Sequence, residues 1–209
     1  MSDVTVKKLE VMDTIKDGIG IGVKNIGSIL VNLILYILTV WIPYLNVGTT
    51  IGLLVGVISK ASKGEAIPFT EIFDAKYRRY MGEFFLTCGL MGIGIGVGIV
   101  FFIIPGIVIA IAWYLAPMLA IDKGKNPSEA ITISNNITYG NKWRIFGIFF
   151  LVGLVYFVAV LILSGIGVAT GSSGVIGFMG FISIILSFFY FFVVIGLQAS
   201  LYKQLASGV

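Results

Sequence analysis

The chain has 209 residues, 58% of them hydrophobic and 11% charged, with 14 Lys and Arg against 10 Asp and Glu for a net charge of +4. Soluble domains average about 25% charged residues, and the few charges here, gathered in short segments, argue against a soluble fold at a mean hydropathy of +1.05. The absence of histidine removes His-based zinc sites and His general bases, and a lone cysteine, Cys88, excludes an intramolecular disulfide. The composition predicts an all-α, polytopic membrane protein with one integral membrane domain over 1–209.

Met1 to Asn25 mixes acids and bases and lacks the apolar core of a cleavable signal peptide, so the first membrane helix is expected to direct insertion. On a helix, Val4, Val11, Ile15 and Ile19 share a face with Met12 nearby, which predicts a short amphipathic helix at the membrane interface. Gly18, Gly20 and Gly22 weaken any continuation of that helix into the bilayer.

Ile26 to Ser59 carries no charge and is divided by Trp41-Ile42-Pro43-Tyr44, a helix terminator between interface-favouring aromatics. It predicts a first hairpin over 26–61, with helices near 26–42 and 45–61. Asn32 lies deep enough to require a partner on another helix, whereas Asn46 falls near the outer interface. Ser62 to Glu83 is charged. Phe69, Phe73, Tyr77, Tyr80 and Phe84 recur at helical spacing behind Pro68, with Asp74 and Arg78 as an i, i+4 pair. Aromatics beside bases suit nucleic acid in general. Here, between membrane helices, they predict an interfacial helix whose Lys76, Arg78 and Arg79 meet anionic lipid headgroups or serve as topology charges.

Phe84 to Ile121 contains no Asp, Glu, Lys or Arg. A bilayer core about 30 Å thick needs about 20 helical residues, so this run is too long for one span and suits two. The break is expected at Ile104-Pro105-Gly106, where proline removes a donor and glycine offers permissive dihedrals. Gly92 with Gly96, and Gly94 with Gly98, form overlapping small-xxx-small pairs that predict a helix-packing face. No strand precedes this ladder and no Lys-Ser/Thr follows it, so it does not read as a nucleotide loop. Pro117 predicts a kink. In the polar segment 122–144, Asn126, Pro127 and Glu129 predict a helix start, with Ala130, Ile133, Ser134 and Ile137 on one face.

Ala130 and Ser134 in A-x-x-x-S, followed by Tyr139-Gly140-Asn141-Lys142-Trp143-Arg144-Ile145-Phe146-Gly147, resemble a segment that recurs in a loose family of prokaryotic integral membrane proteins of unknown function. Similar segments occur in the membrane domain attached to some glycerophosphodiester phosphodiesterases. The resemblance implies a six-helix membrane domain and brings no catalytic residues. The soluble phosphodiesterase domain that would carry metal ligands does not follow in this sequence.

Ile145 to Tyr202 is long enough for a third hairpin over 145–202, with a small, polar linker expected at 164–174 and a final aromatic-rich helix near 175–198. The echo of Gly22-Val23-Lys24-Asn25-Ile26-Gly27 in Gly140 to Gly147, with two insertions, suggests that the hairpins are repeats. Every Lys and Arg lies before Asn25, in 60–79, in 123–144 or at Lys203. The positive-inside rule therefore predicts six spans as three hairpins in the cell membrane, with both termini cytoplasmic. Lys142 and Arg144 join the candidate contacts to anionic lipid.

No assigned span carries an ionisable group in its interior, where proton-coupled transport or intramembrane catalysis would require one. Glu83 and Asp122, at the two ends of the central hairpin, are the one conceivable carboxylate pair, and Tyr36, Tyr114 and Tyr156 are expected to hydrogen-bond between helices. The expected function is a non-enzymatic accessory or scaffolding component without cofactor or metal. Its expected partners are membrane lipids and another membrane protein or a second copy, with no nucleic acid. The alternative is a passive transporter or lipid-handling protein.

Overall fold

The structure, a computed structural model, describes residues 8–209, and every regular element among them is helical. Val4 of the expected N-terminal face lies outside the described residues. The elements are α1 (Val11–Lys24), α2 (Ile26–Thr39), α3 (Pro43–Ile51), a π-helical turn (Gly52–Gly56), α4 (Val57–Lys63) and a 3₁₀ turn (Glu71–Phe73). After these come α5 (Ala75–Arg79), α6 (Met81–Phe101), α7 (Ile103–Trp113), α8 (Ala116–Asp122), α9 (Pro127–Thr138), α10 (Lys142–Thr170) and α11 (Ser173–Leu205). Five helical stretches are long and apolar enough to cross a bilayer: Pro43–Lys63, Met81–Phe101, Ile103–Asp122, Lys142–Thr170 and Ser173–Leu205. A sixth exists if α1 and α2, bent by 68°, count as one.

The breaks follow the terminators, with shifts that have local causes. Pro43 opens α3 at its first turn, where a missing donor costs nothing. The second break falls at Phe102, which is extended at φ −163°, and Pro105 sits inside the first turn of α7. Gly106 therefore supplies no turn dihedral. Its value is contact, because a Cβ there would press on the Ile99 backbone, 2.9 Å from its nitrogen, as the arms of the hairpin close. The linker expected at 164–174 is helix instead: α10 continues to Thr170, Gly171 at φ +61° ends it, and α11 begins two residues later. Small residues here serve packing, with Gly167 against Ile176.

Helix α1 docks through a face other than the apolar stripe that predicts an interfacial helix. Its buried face is Thr14, Gly18 and Gly22, while Met12 and Ile19 are exposed. That face lies on α11 with backbone against backbone. A Cβ at Gly196 would fall on the Gly18 carbonyl oxygen and 2.6 Å from the Gly22 nitrogen, and one at Gly18 would lie 2.9 Å from Leu197 Cα. Polar ties run beside it, from Ser200 Oγ to Asp17 (2.8 Å), Lys203 to Asp17 (3.2 Å) and Gln204 to Thr14 (3.2 Å). The glycines weaken an isolated helix and are what allows this one to dock.

Proline at 117 breaks the span it sits in, as expected. The gap between α7 and α8 is filled by α9. Ser134 donates to the Ala112 carbonyl (2.8 Å) and accepts from the Leu115 amide (3.2 Å), and Thr138 also reaches Ala112 (3.3 Å). The start of α9 is as read, with Asn126 capping the Glu129 amide at 2.9 Å and Ala130, Ser134 and Ile137 buried.

The buried core gathers at one end of the molecule, from the second half of α3 through α4, α8, α9 and the last third of α11. Stretch Pro43–Lys63 is mostly enclosed by protein, whereas α6, α10 and the first half of α11 are mostly exposed and apolar.

Replacing Gly196 by Val should separate α1 from α11, because the added atoms meet backbone that cannot swing aside. We expect a loss on the order of 1–3 kcal/mol and new protease cleavage within α1. Gly20→Ala, whose Cβ meets nothing within 4 Å, should leave the cleavage pattern unchanged.

Candidate functional site

The charged segment Ser62–Glu83 does not form the expected continuous aromatic helix. Pro68 lies in coil, the 3₁₀ turn and α5 are separated by Asp74, and the segment folds inward along the face of α3 and α4. Glycines Gly48, Gly52 and Gly56, spaced four apart, let it in: their missing side chains are replaced by Arg78, the Ile72 backbone (2.6 Å to Cα from an ideal Cβ) and the Tyr77 hydroxyl. The π turn spans Gly52–Gly56, the part of the helix that meets Ile72 and Tyr77. Asn32, fully buried on α2, holds the other side. Its amide donates to the Pro68 carbonyl (2.8 Å) and its oxygen accepts from the Ile72 amide (3.2 Å), so the partner expected on another helix is this segment's backbone.

Folding inward buries Glu71 at 3% exposure. A carboxylate withdrawn from water needs compensating charge. Lys60 of α4 supplies it at 2.7 Å, Lys76 lies at 3.5 Å, and the Tyr77 hydroxyl donates to the same carboxylate. Burial and the neighbouring Glu71 carboxylate push the Tyr77 hydroxyl far above its usual range. Burial pulls the Lys76 ammonium down, but the Asp74 and Glu71 carboxylates outweigh that and leave it raised. Asp74 is lowered chiefly by the Lys76 amide it caps at 2.9 Å. Its ion pair is with Lys76 (3.2 Å) and not with Arg78, which instead lies over the Tyr44 ring at 5.8 Å.

Asp122 forms a second node. Ser59 and Lys63 of α4 both reach its Oδ1 at 2.6 Å, and Tyr202 of α11 reaches Oδ2 at 2.9 Å. The pairing with Glu83 is not among these contacts. The two nodes border a cavity of about 170 Å³ that Lys60, Lys63, Lys76, Glu65 and Asp122 line together. Its ammonium groups are already committed to carboxylates. The arrangement is that of a brace joining the inward segment, α4, α8 and α11. Among the described residues no group of three His, Cys, Asp or Glu side chains could hold a metal ion.

The other candidate residues are dispersed. Gly94 and Gly98 are consumed inside their own hairpin, by the Trp113 ring and by the Gly106 backbone (2.9 Å from an ideal Cβ), so they do not offer a face to a partner. Gly92 and Gly96 are open, and Gly89 extends their stripe. Arg79 is exposed, Lys142 bonds Asn135 Oδ1 (2.9 Å), and Arg144 approaches Asn141 Oδ1 (3.4 Å). Tyr36 and Tyr156 bond across helices, to Thr50 (3.5 Å) and Ser187 (2.9 Å), whereas the Tyr114 hydroxyl is buried beside the Gln198 side chain of α11.

The sequence reading missed Glu71, because charge in a loop reads as solvated. It also missed Gly48, Gly52 and Gly56, although their spacing carries the same signal as Gly92 and Gly96. No family model, curated protein or solved structure matches this chain.

Glu71→Ala should release the inward segment, since it strands Lys60 and the Tyr77 hydroxyl with no acceptor. The expected loss is on the order of 3 kcal/mol, read as tryptic cleavage at Lys76, Arg78 and Arg79. Lys76→Ala should cost less, because Lys60 keeps the shorter contact to Glu71.

Proposed function

We propose that the chain is a non-enzymatic, multi-pass protein of the cytoplasmic membrane that acts as an accessory or scaffolding component, packing against another membrane protein or a second copy. One observation carries this reading: the inward-facing carboxylates are satisfied from within, while the surface left without a partner is apolar. Glu71 and Asp122 each engage three side chains. The helices α6 and α10 present Phe85, Leu86, Ile93, Phe150, Val155 and Phe157 outward. On α6 the stripe of Gly89, Gly92 and Gly96 runs between such residues, and small residues are what let helices associate in lipid.

The Lys and Arg distribution supports cytoplasmic termini and charged segments, with six membrane segments arranged as three hairpins. Ile104, near the tip of the central hairpin, borders the corner at Tyr139–Phe146 where α9 turns into α10. The resemblance to prokaryotic membrane domains of unknown function agrees with this reading and adds no chemistry to it.

A second reading, lipid handling, is favoured by two apolar grooves that open on the exposed side. One, about 430 Å³, lies between α1 and the α10–α11 hairpin, where Met12, Ile15 and Ile19 face Val155 and Phe189. The other lies at the α9–α10 corner.

Native mass spectrometry of gently extracted protein tests the packing reading. A Cβ at Gly96 would meet nothing within 4 Å in its own chain, so Gly96→Leu should leave the fold intact and abolish a companion subunit or the homo-oligomer. Gly98→Leu should instead unfold the hairpin. A wild-type chain that is monomeric and free of companions would contradict the reading.

A further inference from the structure

We propose that the corner between α7, α9 and α10 is a binding site for one anionic phospholipid, with its phosphate at Lys142 and an acyl chain along α7. The proposal rests on the lipid-handling reading and gives it a place and a ligand class. Here the chain forms a groove of about 360 Å³ whose floor is apolar, built from Ile107 and Ile111 of α7 and Phe146 of α10. Tyr139 and Trp143, 72% and 76% exposed, stand at its rim. These are the two residue types that favour the boundary between headgroups and hydrocarbon, and the Trp143 ring is braced edge-on by Phe146 at 6.0 Å.

Lys142 supplies the charge. Five lysines face a carboxylate: Lys60 and Lys76 face Glu71, Lys63 faces Asp122, Lys125 faces Glu129 and Lys203 faces Asp17. Lys142 is in no ion pair among the described residues. Its ammonium is held by the neutral Asn135 Oδ1 at 2.9 Å, which fixes its position without cancelling its charge and leaves donors free. A positioned, uncompensated cation beside an apolar groove with an aromatic rim is complementary to a phospholipid of net negative charge. A zwitterionic lipid brings its own cation and gains less.

The test is native mass spectrometry of the full chain released from nanodiscs containing equal parts phosphatidylglycerol and phosphatidylcholine. The wild type should retain one phosphatidylglycerol. Lys142→Gln should lower that retention about five-fold, Lys142→Arg should restore it, and Arg79→Gln should leave it unchanged. Ile111→Trp, which fills the groove and keeps the charge, should also lower it, while circular dichroism shows both weakened variants folded. Retention of phosphatidylglycerol that follows Arg79 instead of Lys142 would overturn this site and leave the lipid-handling reading standing. Equal retention of the two lipids by the wild type would overturn both.

Discussion

The fold depends on backbone approaching backbone where no side chain intervenes. In a bilayer, where hydrocarbon tails are as apolar as leucine, apolar side chains would gain little by leaving lipid for one another, and association would come from close contact and hydrogen bonding. Gly196 against Gly18 and Gly22 joins the two ends of the described chain, Gly98 against Gly106 closes the central hairpin, and Gly52 admits the Ile72 backbone. The first and last of these contacts bring polar groups within reach that a bulkier residue would hold apart. The ties from Asp17 to Ser200 and Lys203 follow from the first, and those from Asn32 to Pro68 and Ile72 accompany the last.

The consequence is a division of labour along the molecule. One end is protein-like, with a buried core and two neutralised carboxylate nodes, Glu71 and Asp122, that act as braces. The rest is apolar surface on α6, α10 and the first half of α11. In the proposed reading recognition falls to surfaces and grooves, and the internal charge holds the brace in place. Lys142 is held by the Asn135 amide.

Helix content and approximate spans were legible because proline positions and uncharged runs act locally. Pro43, Pro105, Pro117 and Asn126-Pro127 each mark a boundary within a few residues of where it falls. What was not legible depends on partners distant in sequence. Gly18 and Gly22 look like helix breakers until Gly196 is placed against them, and Glu71 looks solvated until Lys60 and the Gly56 gap are placed beside it. The aromatic periodicity from Phe69 to Phe84 is real in the sequence, but Asn32 bonds the backbone of that segment in a non-helical path. Residues at 164–174 read as a linker by composition, although glycine and serine are tolerated in membrane helices whose arms pack closely.

The buried core at one end of the molecule depends on the charged segment being folded against Gly48–Gly56 instead of lying on the surface. Hydrogen exchange of the protein in nanodiscs measures this directly at the amides of Ile72, Phe73 and Tyr77. Exchange slowed to the level of the helices around it, and returned to loop-like rates by Asn32→Ala, is the result expected. Fast exchange of those amides in the unaltered protein would contradict the account.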